Sequence, residues 1–524
     1  MHMPPIISYW NRSVSAAALL FLVLAAPVPT LAQNRPGPLA AAMASSQPQP
    51  AATVLTLDEA IQLAEARSEQ IAIAQFGIAR ATADQQRARS ERQPQLSASA
   101  SYDRTLKSEF SGLFSGSGTT CDPFALDASR GLDVRVAEIE RALDCGAVGG
   151  GGFGGDDFSD LPFGQSNTYR INLAFSQALY AGGRIVAQER VADVGRSLAD
   201  HSLHAARAQL VLDATRAFYD AALAEQLVAI AEASLSQAGA TLAQVELSHK
   251  AGRLAEFDLL RARVARDNQE PGLIRAKAGR TLAYLRLKQM LEIPLSEELA
   301  VSADLDDVAL VPPARFAAPL ASVSTTPAAR TASARVPVLQ ASSAVALREA
   351  SLRIVRSQRL PSVYANSAFG KVGYARFPGL DDWRTNWTIG AVVQVPLFTG
   401  GRIKAEEMAA GASLGEARAQ QRLVVELAEA DTESALAILE ATRATWEASA
   451  GIVEQARRAY DIADIRYREG ISTQLELLDA RLLLQQAQVN RAQAARDLQV
   501  ARVRVALLPE LPLGTASAGS SGGF

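Results

Sequence analysis

The feature that most constrains this chain is an internal repeat. Residues 179–185 read LYAGGRI, and 218 residues later residues 397–403 read LFTGGRI. The same spacing continues without a gap to Pro294 in the first copy and Pro512 in the second. A duplicated unit of about 120 residues is expected to fold the same way twice, so the chain is predicted to contain two copies of one arrangement of strands and helices.

The amino terminus reads as a secretory signal. An arginine precedes an apolar run over 14–26, and small residues just before position 33 offer a cleavage site. Residues 1–32 are therefore predicted to be a signal peptide, and residues 33–53, rich in Pro, Ala and Gln, a flexible N-terminal segment. No later apolar run reaches about 18 residues, so no transmembrane helix is expected.

Alternation of apolar and polar residues predicts four β-strands. They are predicted at about 95–104, 168–180, 362–372 and 386–398. In the second of these, Tyr169, Phe175 and Leu179 are predicted to share one face. Strands of this length and pattern suit a transmembrane β-barrel, with a half-buried sheet of a soluble protein as the alternative. Four strands cannot close a barrel in lipid, so two chains with eight strands or three with twelve would have to share one.

Each Gly-Gly-Arg segment is predicted to be the corner where a strand turns into a helix, because glycine tolerates sharp changes of backbone direction. These corners are Gly182, Gly183 and Arg184 in the first copy and Gly400, Gly401 and Arg402 in the second. A phosphate-binding loop is excluded because its longer glycine pattern and its lysine are missing. Each corner leads into a helical pattern of about 65 residues, a rod of about 97 Å, which turns at a glycine and returns as a shorter helix.

These patterns divide the mature chain into two repeats, an inserted loop, a connecting segment and a tail. The segments are a first repeat at 54–295 with an inserted external loop at 105–166 and a helical hairpin at 185–292, an irregular equatorial segment at 296–334, a second repeat at 335–513 with a hairpin at 403–508, and a disordered tail at 514–524. In the first repeat one helix is predicted over 57–92, opened by a capping box from Thr56 to Glu59. The predicted fold class is mostly α with transmembrane β, with long coiled-coil helices.

The inserted loop holds both cysteines of the chain. Cys121 and Cys145 lie within Gly- and Ser-rich sequence that the second repeat lacks. Loops tolerate such changes of length, so the insertion is predicted to be a loop, and it is placed on the cell exterior. In an exported chain the two cysteines can form one disulfide, and two free thiols are the alternative.

Composition removes several classes of function. The net charge of −3 gives no basis for nucleic acid as a partner. His201 and His204 are three residues apart on a predicted helix, but no further ligand accompanies them, so no metal site and no cofactor are predicted. No Ser-His-Asp order or nucleophile elbow is evident, so the chain is not predicted to be an enzyme.

The signal sequence, paired strands, corners and duplicated hairpins together resemble the TolC-like outer-membrane efflux protein family. The most specific motifs are LTLDEA at 55–60, PLFTGGR at 396–402, YREG at 467–470 and LLDA at 477–480. The resemblance implies a homotrimer with a 12-stranded barrel in outer-membrane lipid and a periplasmic α-helical tunnel. It also implies a passive exit duct of a tripartite efflux or type I secretion system, opened by a periplasmic adaptor (membrane fusion) protein and an inner-membrane pump.

The resemblance further implies a gate at the periplasmic end. Matched to the turn glycines, its acidic positions fall on Asp479, Glu476 and Asp258, and its tyrosine on Tyr467. Three copies of an inward-facing carboxylate would form a negative ring that favours cations. Without the resemblance, charges near helix turns are more often solvated or paired along the helix.

The hairpin tips are the implied surface for the adaptor. They comprise Gly252, Arg253, Gly470 and Ser472. In one branch of the family an arginine at the position of Ser472 helps to hold the gate, so that part of the latch is missing here. Arg253, in the other turn, is a candidate substitute.

Two other functions stay open from the residues alone. A periplasmic coiled-coil structural or adaptor protein would have the same rods without a barrel, and would be soluble on cell fractionation. An outer-membrane enzyme such as a lipase would need catalytic residues that the sequence does not show.

Overall fold

The computed structural model describes residues 53–107, 122, 124–144, 167–303, 305, 313–325, 332–375 and 383–513. The predicted signal peptide, both cysteines, the predicted tail and all of the N-terminal segment except Thr53 lie outside these described residues. The elements that follow belong to the two repeats and to the segments between them.

Both repeats contain a helix, two strands, a long outgoing helix and a returning helix, in that order. The strands are β1 (Thr53–Leu55), β2 (Gln95–Arg104), β3 (Asn167–Ala181), β4 (Leu299–Val301), β5 (Ser362–Ala375) and β6 (Trp383–Gln394). The helices are α1 (Leu57–Arg67), α2 (Glu69–Ser90), α3 (Leu132–Asp144), α4 (Arg184–Lys250), α5 (Glu256–Asp267), α6 (Glu270–Met290), α7 (Ala314–Thr325), α8 (Val336–Ser357), α9 (Arg402–Arg468) and α10 (Gln474–Leu507). The two outgoing rods, α4 and α9, each contain 67 residues.

Four of the strands form one antiparallel sheet in the order β2-β3-β5-β6. Ala98, Leu173, Phe369 and Trp387 lie opposite one another across all four strands. The rings of Phe369 and Trp387 meet edge to face, with centroids 6.3 Å apart. Trp387 is 73% exposed and Ile389, on the same face, is 84% exposed. An exposed apolar face backed by a polar one is the pattern of a sheet that faces lipid.

A β-bulge in β3 changes the predicted face of one residue. Ala178 pairs with Tyr364, whereas Tyr180 pairs with Val363, so Leu179 is the extra residue. Tyr180 therefore takes the apolar-face position that strict alternation assigns to Leu179. The prediction for Leu179 is wrong because one inserted residue reverses the parity of a strand.

Strand ends follow the pairing rather than the sequence pattern. β6 ends at Gln394, before the predicted end at 398, because Gln394 lies opposite Ser362, where β5 begins. At the other end β6 starts at Trp383 and β5 runs on to Ala375, both beyond the predicted limits. β2 and β6 are the outer strands, so each has a single partner strand among the described residues. The predicted class, mostly α with one four-stranded sheet per chain, is confirmed.

The helix that is predicted over 57–92 is two helices. Ser68 separates them with an extended backbone, ψ 119°. The N–H of Glu69 donates to the carboxylate of Glu292 at 3.2 Å, and Arg67 donates to the Glu292 carbonyl at 3.3 Å. The break thus lets the end of α6 pack against the start of α2, a long-range contact that no local pattern reveals.

The return helix of the first hairpin is also interrupted. α5 ends at Asp267 and α6 begins at Glu270, with Pro271 in its first turn. Proline has no N–H to donate and its ring crowds the carbonyl four residues earlier, so the helix breaks there. The second hairpin lacks a proline at this point, and α10 continues without a break.

Residues 296–334 are less irregular than predicted. β4 pairs in parallel with β1, with Thr53 opposite Leu299, and α7 follows. The prediction that Thr53 belongs to a flexible segment is therefore wrong, because β4 supplies backbone partners for it. Likewise the inserted loop contains α3, a helix that the Gly- and Ser-rich composition conceals.

The main hydrophobic core lies where α1, α4, α6 and α10 meet. Phe218, Leu287 and Leu498 are at most 1% exposed there. Beside it the fully buried Arg335 forms an ion pair with Asp431 at 2.8 Å, and Arg504 contacts the same carboxylate at 3.0 Å. This cluster ties the start of α8 to α9 and α10.

Candidate functional site at the hairpin turns

Both helical hairpins turn on a glycine with a left-handed backbone. Gly252 has φ 68° and Gly470 has φ 76°, which glycine adopts without steric strain. In the first turn the N–H of Arg253 donates to the carbonyl of Ser248 at 2.9 Å, and in the second the N–H of Ile471 makes the equivalent bond at 2.8 Å. Each bond spans five residues, which is the Schellman pattern that ends a helix sharply.

Side chains hold the start of each returning helix. Nδ1 of His249 lies 3.0 Å from the carbonyl oxygen of Leu254, across the first turn. The hydroxyl of Thr473 accepts from the N–H of Glu476 at 3.4 Å and caps α10. The two tips therefore share a backbone geometry and differ in their side-chain supports.

Tyr467 and Asp258 come together although they belong to different hairpins. Tyr467 lies in the last turn of α9, and Asp258 lies in the first turn of α5. The tyrosine ring packs against the cluster of Val245, Leu259 and Ala262 at the first tip. Burial raises the pKa of the Tyr467 hydroxyl, and the negative charge of Asp258 raises it further. The packing of Tyr467 thus joins the two hairpin tips within one chain.

Gln474 is a tip residue that the sequence does not single out. It is the first residue of α10 and is 6% exposed. With its amide oriented to suit its neighbours, it donates to the carbonyl of Asp258 and accepts from the N–H of Ala262, both at 3.3 Å. It therefore bonds the second hairpin to the backbone of α5. The one feature of the sequence that could have drawn attention to Gln474 is a difference between the repeats, since the first repeat has Glu256 at the equivalent position.

The acidic positions Glu476 and Asp479 lie on the face of α10 that the chain leaves exposed. Leu477 and Leu484, on the opposite side, are buried against the rest of the hairpins. The carboxylates share their face with Leu475, which is also exposed. This face is free to contact another chain or to line a channel.

The remaining tip positions do not form a charged latch in this chain. Ser472 is partly buried in the second turn, where its N–H donates to the carbonyl of Arg466 at 3.2 Å. Arg253 is exposed in the first turn. Among the described residues, no ion pair joins Arg253 to an acidic tip residue.

The Gly-Gly-Arg segments lie between strand and helix, with both glycines of each pair in the left-handed region. Gly183 and Gly401 are the residues just before α4 and α9, at φ 82° and 84°. Arg184 contacts Glu91 of the preceding helix end at 3.3 Å, whereas Arg402 pairs with Glu406 on its own helix at 2.6 Å. Arg402 also donates to the side chain of Gln358 at the end of α8, at 3.1 Å. Each corner arginine is thus bonded to the end of the helix that precedes its strands.

Comparison with known proteins assigns the family. A model of the family described as outer membrane efflux protein matches residues 60–291 and 330–508. The chain belongs to the outer membrane efflux protein family. Family membership places it in the outer membrane, and its relatives are efflux channels rather than enzymes.

Two curated relatives are similar to part of the chain. The chain is 31% identical to the pyoverdine export outer membrane protein OpmQ of Pseudomonas putida over 160 residues, which are 30% of this chain and 34% of OpmQ. It is 32% identical to the outer membrane efflux protein BepC of Brucella suis over 114 residues, 22% of this chain and 25% of BepC. The matches thus span about a third or less of the length of these relatives.

Solved structures share the fold over most of the chain. CusC, whose structures describe transmembrane channel formation, superposes with a TM-score of 0.66 at 16% identity, covering 86% of this chain and 91% of that one. VceC of Vibrio cholerae superposes with a TM-score of 0.64 at 18% identity, covering 86% and 96%. The predicted resemblance to TolC-like efflux proteins is therefore confirmed at the level of family and fold.

The described residues add two further facts about sites. No helix among them is both long enough and apolar enough to cross a membrane. They bring together no group of three His, Cys, Asp or Glu side chains that could hold a metal ion. Of the two histidines named from the sequence, His204 lies 3.8 Å from Glu510.

Proposed function

We propose that three copies of this chain form a passive exit duct that spans the outer membrane and extends into the periplasm. The observation that carries the proposal is an open sheet that continues, through the glycine corners, into two long helical hairpins. A sheet of four strands in lipid must pair both of its edges, and a rotationally symmetric ring of chains achieves this.

The repeat itself supports closure into a ring. In the first corner a Cβ at Gly182 would lie 2.8 Å from Leu360, which belongs to the second repeat. At the equivalent Gly400, no heavy atom of the described residues lies within 4 Å of such a Cβ. The repeat counterpart of Leu360 is Gln93, so a ring would bring Gln93 of the partner subunit to the second corner. Each corner would then be packed in the same way.

The periplasmic end is proposed to be the gate. In a trimer the exposed carboxylates Glu476 and Asp479 occur three times each, and facing a common axis they would form a ring of negative charge. Tyr467, by packing on the first tip, and Gln474, by bonding to the backbone of α5, hold the two hairpins of one chain together. Opening would then require the hairpins to separate on contact with a periplasmic adaptor, with the inner-membrane pump supplying energy and choosing the cargo.

The test combines subunit count and conductance. In detergent the mature chain should give a three-chain mass by native mass spectrometry, and in planar bilayers it should conduct and be blocked by a trivalent cation such as hexaamminecobalt. Glu476→Gln combined with Asp479→Asn should raise the half-blocking concentration at least tenfold, because the ring loses its charge. A soluble, monomeric mature chain would overturn the proposal.

The control is Glu433→Gln. Glu433 is also an exposed acid on a long helix, but it lies about 50 Å along α9 from the turn. The half-blocking concentration of the trivalent cation should be the same for the Glu433→Gln variant as for the unmodified chain. Equal block in the double variant and the control would remove Glu476 and Asp479 from the gate.

A further inference from the structure

The helix α3 lies inside the inserted loop, outside both repeats. Its residues Leu132, Val136, Ile139 and Leu143 recur at spacings of four, three and four, which places them on one stripe of the helix. All four are exposed in this chain, from 37% for Ile139 to 76% for Leu132. Short helices depend on packing of such a stripe for their stability, so this face is expected to pack against another surface.

The charges on α3 divide into paired and unpaired residues. Arg141 forms an ion pair with Glu138 at 2.6 Å and donates to the backbone carbonyl of Asp122 at 3.1 Å. Arg135 and Glu140, which flank the apolar stripe, have no ion-pair partner among the described residues, and Nε of Arg135 is buried without a hydrogen bond. The two unpaired charges are therefore of opposite sign and lie beside the face that needs covering.

Their spacing fits a parallel coiled coil. With Val136 and Leu143 at a positions and Ile139 at d, Arg135 takes a g position and Glu140 the following e position. In parallel helices a g residue lies beside the e residue five positions later on its neighbour, so Arg135 would meet Glu140 of the partner subunit. Antiparallel helices would instead bring Asp133 and Glu140, two like charges, together at e positions.

We propose that the three copies of α3 pack as a parallel three-helix bundle over the outer mouth of the barrel. The inference rests on the proposed trimer, whose rotation axis makes all copies of α3 point the same way. The partner that covers the stripe is thus another copy of the same helix.

The chain is long enough to bring α3 to the axis. Arg104 at the end of β2 pairs with Asn167 at the start of β3, so the insertion leaves and rejoins the sheet at one point. The shorter link to α3, residues 145–166, can extend to roughly 70 Å. Strand spacing and tilt give a 12-stranded barrel a radius of about 12 Å. Tethering at this range gives effective concentrations on the order of 1 mM, which helps a short bundle to form.

Charge argues against the membrane surface as the alternative partner. Asp133, Glu138, Glu140 and Asp144 outnumber the arginines Arg135 and Arg141 on α3. Helices that lie on anionic membranes carry basic polar faces, whereas this polar face is acidic. An anionic outer leaflet would repel it.

The test is photo-cross-linking in the full chain with both cysteines retained. Ile139 is replaced by p-benzoylphenylalanine, and Val134, an exposed apolar residue on the opposite side of α3, is replaced in the control. After irradiation of purified protein and of whole cells, Ile139 should give covalent dimers and trimers in at least fivefold greater yield than Val134. Arg135→Glu should lower that yield several-fold, and Arg135→Glu with Glu140→Arg should restore it.

Each other outcome overturns the proposal. Equal yields at Ile139 and Val134, failure of the double exchange to restore cross-linking, or cross-links that map to lipopolysaccharide or to the chain's own loop would each exclude the bundle. Native mass spectrometry of unirradiated protein separates this result from failure of the proposed function. A chain that is not trimeric overturns both proposals, whereas a trimer without these cross-links overturns the bundle alone.

Discussion

Arg335 shows how a charge can be buried where three helices meet. Its side chain is fully buried, yet it pairs with Asp431 and donates to the carbonyl of Ala428 at 3.2 Å. Asp431 also holds Arg504, so one carboxylate serves two guanidinium groups. Removing the carboxylate leaves a buried charge unpaired, whereas removing Arg335 leaves Asp431 with a partner.

The two substitutions should therefore differ in cost. Asp431→Asn is expected to lower the free energy of unfolding by about 3–5 kcal/mol, and Arg335→Met by distinctly less. Thermal unfolding followed by the helical circular dichroism signal measures both. If Arg335→Met proves the more destabilising of the two, the assignment of Asp431 as the shared partner is wrong.

At the level of elements, the strand-to-helix corner depends on glycine for two separable reasons. Gly182 and Gly183 both have positive φ, which costs an alanine about 1–2 kcal/mol. Only at Gly182 would a Cβ also collide, 2.8 Å from the Ser357 carbonyl oxygen and from Leu360. At Gly183, no heavy atom of the described residues lies within 4 Å of the added carbon.

This difference makes a matched pair of variants. Gly183→Ala should destabilise by about 1–2 kcal/mol, and Gly182→Ala by about 1–3 kcal/mol more, because backbone must move to relieve the collision. The midpoint of thermal unfolding in detergent compares them. Equal midpoints would mean that the corner relaxes freely and that Leu360 does not fix it.

The two helix breaks in the first repeat have different causes. The break at Pro271 has a visible local cause in the sequence. The break at Ser68 has none, since it depends on Glu292 arriving from the far end of the hairpin. Local signals thus predict where a helix can break, and tertiary contacts decide where it does.

At the scale of the whole molecule, the repeat predicts how the chains pair. Within each repeat the strands share one register: Leu96 pairs with Phe175, and their counterparts Val363 and Val393 also pair. Between the repeats, Asn172 of β3 pairs with Gly370 of β5. Applying the same relation between chains places Gly390 of β6 opposite Asp103 of the partner subunit's β2.

Cysteine cross-linking can test that register. In a variant with both native cysteines replaced by serine, Gly390→Cys with Asp103→Cys should form disulfide-linked dimers and trimers under mild oxidation. Asn172→Cys with Gly370→Cys is the positive control, and should link within one chain.

An off-register pair supplies the comparison. Gly390→Cys with Ser101→Cys keeps the same face but shifts the pairing by two residues, where direct partners become diagonal neighbours. Cross-linking as efficient as that of the Asp103 pair would contradict the register, and absence of links in both would contradict closure through β2 and β6.

The sequence by itself determines the repeated plan of this protein. The repeated spacing around the two Gly-Gly-Arg corners locates the strands, the rods and the turns. Each is visible in the local sequence, as an alternating or helical pattern of apolar residues or as a turn glycine, and the duplication shows each of them twice. The positions of Tyr467, Glu476 and Asp479 near the second turn also follow from the sequence. Family resemblance rather than chemistry directs attention to them.

Only the tertiary structure decides what these elements contact. It pairs β3 with β5 across the repeats, inserts the bulge at Leu179, brings Gln474 and Tyr467 to α5, and shows that α3 interrupts the inserted loop. Each of these depends on residues that are distant in the chain, or on packing that overrides local composition. The physical reason is that periodicity fixes which face of an element is apolar, whereas the partner of that face is chosen by three-dimensional fit.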